Sequence, residues 1–181
     1  NKIDVDHEQI IVTNGGSGAL LFGMMVCFEP RDELIIPEPF YANYNSFALS
    51  CGVSLIPLQT SVDDGFALPA EEAFAPLITP RTKGILICNP GNPTGRVYGL
   101  EQNVILIDSV SKRYSMCGAR VGAFITKNTD VYSAVLRMAQ ARLSPPTFGQ
   151  IAAEAALKTP PSYFENVIAE YKARRNTLVN G

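Results

Sequence analysis

Lys112 lies in the segment Asp108-Ser109-Val110-Ser111-Lys112-Arg113-Tyr114, just past the apolar run Val104-Ile105-Leu106-Ile107, and Arg120 follows within Gly118-Ala119-Arg120-Val121-Gly122. An amine in this setting can form an imine with an aldehyde. The hydroxyls of Ser109 and Ser111 and the Arg120 guanidinium can hold a phosphate dianion on the same molecule. Lysines are ordinarily solvated surface residues, and Lys2, Lys83, Lys127, Lys158 and Lys172 read that way. Lys112 differs because two hydroxyls and a guanidinium surround it beside a buried strand. A lysine partly desolvated near another cation loses proton affinity and becomes nucleophilic near neutrality.

Three further motifs bear on the same chemistry. Asn14-Gly15-Gly16-Ser17-Gly18-Ala19-Leu20 reads as a strand-to-helix turn. Its small residues Gly16, Ser17 and Gly18 let backbone amides approach an anion at a helix N-terminus. The plainer alternative is that Ser17 merely caps the helix. Asn89-Pro90-Gly91-Asn92-Pro93-Thr94-Gly95 is a double turn whose prolines fix φ, so that an Asn side chain such as Asn92 is held stiffly. Pro37-Glu38-Pro39-Phe40-Tyr41-Ala42-Asn43-Tyr44 places aromatics after the C-terminal end of a strand, the edge where open α/β sheets bind ligands. Tyr41 there could stack on a heteroaromatic ring, whereas Phe40 and Tyr44 are as readily explained by surface packing.

The elements that must position these residues alternate along the chain. Apolar runs at 10–13, 34–36, 53–58, 84–88, 104–107 and 121–126 read as strands, with Pro57 pointing to an edge strand or a strand end. Helical patterns cover 17–28, 41–50, 71–77, 131–143, 148–157 and 163–178. Strands that are apolar throughout imply a sheet covered on both faces, so the expected fold is α/β, a three-layer αβα arrangement with a mostly parallel sheet. One connection conflicts with this. Parallel neighbours ending at Cys88 and starting at Val104 need a crossover of a dozen or more residues, usually a helix. The link 89–103 is broken by Pro90, Gly91, Pro93, Gly95 and Gly99. Either this link is an irregular loop, or a segment is missing between about 98 and 103.

Composition excludes several other functions. In the 181 residues, 46% are apolar and 18% charged, and Lys plus Arg total 15 against 17 Asp plus Glu. That is globular, with net charge −2 and no basic stripe for nucleic acid. The longest apolar runs are too short to span a bilayer. His7 is the only histidine, which argues against a His-based triad or a His-rich metal site. Cys27, Cys51, Cys88 and Cys117 show no paired spacing and read as buried thiols of a reducing compartment; no metal is expected. With no initiator Met and no signal peptide, the expectation is a trimmed piece of a cytoplasmic protein.

Together the Ser-x-Ser-Lys segment, the Gly-Ala-Arg-Val-Gly segment and the Asn-Pro-Gly-Asn-Pro-Thr-Gly turn resemble class I/II aminotransferases of fold type I, especially the aspartate-aminotransferase-like group. The resemblance covers nearly the whole chain. It implies pyridoxal 5'-phosphate as cofactor, with Lys112 as the Schiff-base lysine. Ser109 and Arg120 become phosphate ligands, with Ser111 lining the same pocket. Gly16, Ser17 and Gly18 become the phosphate-binding turn. Tyr41 becomes the ring stacked on the pyridine, and Asn92 a donor to the cofactor's phenolic oxygen. The implied reaction moves an amino group between an amino acid and a 2-oxo acid, in a homodimer. The same motifs permit another fold-type-I enzyme such as a C–S β-lyase, or a non-catalytic aminotransferase-like regulator domain. Members of the family carry an Asp facing the pyridine nitrogen, with a nearby Tyr, on a strand between the Asn turn and the lysine strand. No match for that strand is found, and its place coincides with the strained connection. Residues 1–181 therefore read as an incomplete cofactor-binding large domain without its small domain, expected to bind cofactor poorly and turn over little.

Overall fold

The structure is a computed structural model that describes residues 4–98 and 104–181. Chain order begins with β1 (Ile10–Asn14), α1 (Gly15–Cys27), β2 (Glu33–Glu38), α2 (Asn43–Ser50), β3 (Ser54–Gln59) and β4 (Thr82–Ile85). It continues with β5 (Leu106–Ser109), α3 (Val110–Arg113), β6 (Val121–Ile125), α4 (Thr129–Arg142), α5 (Thr147–Ala156) and α6 (Pro161–Asn180). The expected missing segment between about 98 and 103 falls on 99–103 and so lies outside the described residues.

The fold is α/β, but its strands form two sheets. In one, β3, β2 and β4 lie in that order with both pairs parallel. In the other, β6 runs antiparallel between β1 and β5. The expectation of a mostly parallel sheet is therefore met in the first and corrected in the second. The short link from α3 to β6 cannot hold a helical crossover, so β6 returns antiparallel to β5. Pro57 lies on β3, an edge strand of its sheet, as its missing N–H requires.

Burial follows this division. Leu34, Ile35 and Ile36 are successive residues of the central strand β2 and all are buried, so both of its faces are covered. β1 alternates instead: Ile11 and Thr13 point inward while Val12 is exposed. Cover on both faces thus holds for β2 and not for β1. Helix α1 carries the two sheets together. Its Ala19 and Phe22 pack with Ile11, Phe124 and Val135 of β1, β6 and α4. Its Leu20 and Met24 pack with Leu34, Ala48 and Val53. The starts of β2 and β4 are pinned by Glu33, whose Oε1 accepts 2.7 and 3.0 Å bonds from Nη2 and Nε of Arg81 and whose Oε2 accepts from Thr79 at 2.6 Å. These bonds hold the buried Glu33 carboxyl below its ordinary value, Thr79 most and then Arg81.

Two local expectations are corrected. Residues 71–77 form two short 3-10 turns, Glu71–Ala73 and Ala75–Leu77, because Pro76 lacks the N–H that a continued helix needs. The cysteines form no disulfide and are half-buried or, for Cys117, exposed, rather than fully buried. α6 has no buried residue and packs through Phe164, whose ring meets Tyr114 edge-on at 5.7 Å.

Candidate functional site

The first turn of α1 is built by close backbone contact. Asn14 ends β1, Gly15 enters the left-handed region at φ 71°, and the buried Thr13 hydroxyl donates to the Gly15 carbonyl at 2.9 Å. Glycine takes that φ without the penalty a Cβ would bring. Helix α1 starts at Gly15, so Ser17 lies within its first turn, exposed, and the simple capping alternative does not hold. β6 presses on this turn from beside it. A Cβ at Gly122 would lie 2.4 Å from the Gly15 carbonyl carbon and 2.6 Å from the Gly16 nitrogen.

The lysine segment meets the same turn. A Cβ at Gly16 would lie 3.6 Å from the Ser109 Cβ. Ser109 caps α3: its Oγ accepts from the Ser111 N–H at 3.1 Å, donates to the Val121 carbonyl, and lies 2.8 Å from the Ser111 hydroxyl. Arg120 reaches the same turn, with Nη2 2.6 Å from the position of a Gly15 Cβ. Its backbone is left-handed, at φ 55°, a conformation that non-glycine residues keep only where packing enforces it. Gly149 of α5 supplies that packing, since a Cβ there would lie 2.3 Å from the Ala119 carbonyl oxygen. Gly16, Ser109, Ser111 and Arg120 are thus brought together around one helix N-terminus, the arrangement that suits an anion.

Lys112 lies on α3 and is exposed. Partial desolvation was expected and is not found. α3 follows β5, an outer strand of its sheet, and no described strand covers it on that side. Arg113 pairs with Asp108 at 3.0 Å, both exposed, a contact that contributes little.

Asn92 lines a second cleft at the C-terminal ends of β2 and β4, and Tyr41 lies beside it. The Asn turn is closed by its own bonds. The Asn89 side chain donates to the Tyr98 carbonyl at 2.9 Å and accepts from the Tyr98 N–H at 3.1 Å, and Gly91 N–H donates to the Arg96 carbonyl at 2.7 Å. This holds Asn92 exposed in the cleft that Phe40 and Tyr44 also line. Tyr41 flanks the cleft, its ring edge-on to Tyr44 at 5.6 Å and its hydroxyl accepting from Asn43. Burial, with Cys88 beside it, pushes the Tyr44 phenol well above its ordinary value. Among the described residues no hydrogen bond or ion pair joins this cleft to Lys112, Ser109 or Arg120.

Sequence reasoning missed Thr13, Gly122 and Arg142. The Arg142 guanidinium lies over the Phe22 ring at 4.8 Å and reaches 2.7 Å from the position of a Gly18 Cβ. Gly122 stood inside a quoted motif, but nothing local in the sequence marks Arg142 or pairs Thr13 with Gly15. Among the described residues, no group of three His, Cys, Asp or Glu could hold a metal ion, and no helix is long and apolar enough to cross a membrane.

Hydroxyls and a guanidinium gathered at one helix start define an α/β domain whose site suits an anion. The sequence matches the family described as aminotransferase class I and II over residues 1–108 and again over 100–181, and the chain belongs to that family. The aspartate aminotransferase of Rhizobium meliloti is 25% identical over 225 aligned positions, covering 100% of this chain and 55% of the relative. The arginine–pyruvate transaminase of Pseudomonas aeruginosa is 28% identical, covering 97% of this chain and 55% of its own length. Among solved structures, an alanine aminotransferase from Pyrococcus furiosus superposes with a TM-score of 0.88 at 25% identity, over 97% of this chain and 56% of that one. The aspartate aminotransferase of Thermus thermophilus with maleate gives 0.85 at 25% identity, over 97% and 57%. The chain thus spans about half the length of the curated relatives it matches. An alignment of 225 positions exceeds the chain's 181 residues by 44, so at least 44 positions have no residue of this chain opposite them.

Proposed function

We propose that residues 1–181 form most of the cofactor-binding domain of a pyridoxal-phosphate-dependent aminotransferase, one that moves an amino group between an amino acid and a 2-oxo acid. The observation that carries this reading is the convergence of the Gly16 turn, the Ser109–Ser111 hydroxyl pair and the Arg120 guanidinium on the start of α1. That donor set fits the phosphate end of the group: two hydroxyls, a guanidinium and the small-residue N-terminus of a helix. When bound, the cofactor supplies an aldehyde for imine formation and a ring that accepts the electron pair left when an α-proton departs. In this reading Arg120, Ser109, Ser111 and the 16–18 turn grip the phosphate. Lys112 supplies the amine and, once released, carries the proton at its Nζ. Asn92 and Tyr41 address the ring from the second cleft. A charge partner for the ring nitrogen is not among these residues, so the chain by itself should turn over little.

The domain reading includes an internal segment absent between about 98 and 103, supported by the alignment excess and by the family match in two pieces. It leaves the small, substrate-recognising domain outside these residues. A homodimer is supported by the apolar face exposed on α5 and its approaches, where Leu143, Phe148, Ile151 and Leu157 are 57–88% exposed. The unpaired thiols suit a reducing cytoplasm. Borohydride reduction in the presence of pyridoxal phosphate, followed by peptide mapping, tests the site. A reduced label on Lys112 is expected, and a label confined to other lysines would overturn the assignment.

A further inference from the structure

Two guanidiniums, not one, stand at the first turn of α1. Nη2 of Arg120 lies 2.6 Å from the position of a Gly15 Cβ, and Nη1 of Arg142 lies 2.7 Å from that of a Gly18 Cβ. Gly15 has a backbone reason to be glycine, its φ of 71°. Gly18 has no positive φ, and a glycine within a helix is less stable than alanine there. What stands in the place of its Cβ is the Arg142 guanidinium.

This placement runs against the electrostatics of the chain itself. The start of a helix carries about half a positive charge, which repels cations. Arg142 belongs to the last turn of α4, where a cation is favoured. Its side chain nevertheless extends over the Phe22 ring at 4.8 Å and reaches the positive end of α1. Among the described residues neither Arg120 nor Arg142 makes an ion pair, and Arg120 donates only to the Cys117 carbonyl at 3.2 Å. Both are exposed, so an incoming anion can reach them. Two cations beside a helix start, with no carboxylate between them, are an uncompensated positive site. Local conflict of this kind is expected where a ligand restores the charge balance. A phosphate monoester carries about −1.5 to −2 near neutrality, more than one guanidinium neutralises.

We propose that Arg142 is a second guanidinium for the phosphate gripped at the start of α1, supplying the charge that Arg120 alone leaves unmatched. The inference rests on the phosphate reading of that turn given above. Phe22 steadies the guanidinium through its ring face. The missing Cβ of Gly18 admits it to the turn. Its role is to bind the phosphate, and it takes no part in moving the proton.

The test titrates the full 181-residue chain with pyridoxal phosphate, with pyridoxal, and with inorganic phosphate, the last by calorimetry. Arg142→Gln is expected to weaken pyridoxal phosphate and inorganic phosphate by about tenfold or more, as loss of a charge-assisted bond does. Its affinity for pyridoxal, which lacks the phosphate, should stay that of wild type. Arg142→Lys keeps the charge but loses the planar fork, and should fall between the two. If Arg142→Gln fails to fold, Arg142→Lys carries the same comparison. Arg120→Gln separates this inference from the reading it rests on. Weakened phosphate binding in Arg120→Gln with wild-type binding in Arg142→Gln would overturn the role of Arg142 and leave the phosphate site standing. Unchanged phosphate binding in both variants would overturn the two together. Equal weakening of pyridoxal and pyridoxal phosphate in Arg142→Gln would mean that Arg142 only packs on Phe22, and would also overturn the proposal.

Discussion

Replacing Gly122 with alanine forces the largest rearrangement at the α1 turn for the smallest chemical change. The new Cβ would lie 2.4 Å from the Gly15 carbonyl carbon, 2.6 Å from the Gly16 nitrogen and 2.8 Å from the Gly15 oxygen. Carbon atoms rest at about 3.5–4.0 Å, so turn and strand must separate by about 1 Å. All three clashing atoms are backbone, and no side chain can rotate away. Overpacking of this kind costs about 1–3 kcal/mol. With a urea slope of about 2 kcal/mol per M, the unfolding midpoint should fall by about 0.5–1.5 M. The same displacement moves the Gly16 turn away from Ser109, so affinity for pyridoxal phosphate should fall while affinity for pyridoxal, which lacks the phosphate, should change little. Gly118→Ala is the matched control, because its Cβ would meet nothing within 4 Å. Urea denaturation followed by circular dichroism, with cofactor titration by absorbance, reads both effects. A Gly122→Ala midpoint equal to that of Gly118→Ala would refute the close-contact account of the turn.

Glu33 gives the pH dependence. Its folded pKa is depressed, so the stability it contributes is complete above the ordinary glutamate value of about 4.3 and is lost as pH falls through the folded value. Glu33→Gln should therefore unfold at lower urea than wild type at neutral pH, with the gap closing in acid; a gap that persists unchanged in acid would contradict the assignment. Phe124 is fully buried between α1 and the antiparallel sheet, and Phe124→Ala should cost about 3–5 kcal/mol, read as the shift in the same urea midpoint.

Local pattern carried much of this protein. The run Leu34-Ile35-Ile36, apolar without alternation, announced a strand covered on both faces, and β2 is one. Pro57 announced an edge strand or a strand end, because a residue without an N–H cannot serve the middle of a sheet, and β3 is an edge strand. Asn89 to Gly95 read as a stiff turn, and its bonds to Tyr98 and Arg96 make it one. The helix expected at 71–77 failed because the missing N–H of Pro76 outweighed the apolar spacing around it. The exposure of Lys112 was not legible, since the neighbours in its sequence are hydroxyls and apolar residues that suggest cover, whereas solvent access depends on which strand lies beside β5.

By itself the sequence determined which residues could take part in chemistry: an amine, two hydroxyls, a guanidinium and a small-residue turn, each recognisable from its neighbours in the chain. It also showed that prolines and glycines break the link from Cys88 to Val104, so that no ordinary helical crossover fits there. Only the tertiary structure decided that Gly122 touches Gly15, that Arg142 reaches Gly18, and that the strands divide into two sheets over one helix. Those are contacts between residues far apart in the chain. They are set by how backbones pack once the core closes, and local spacing holds no record of them.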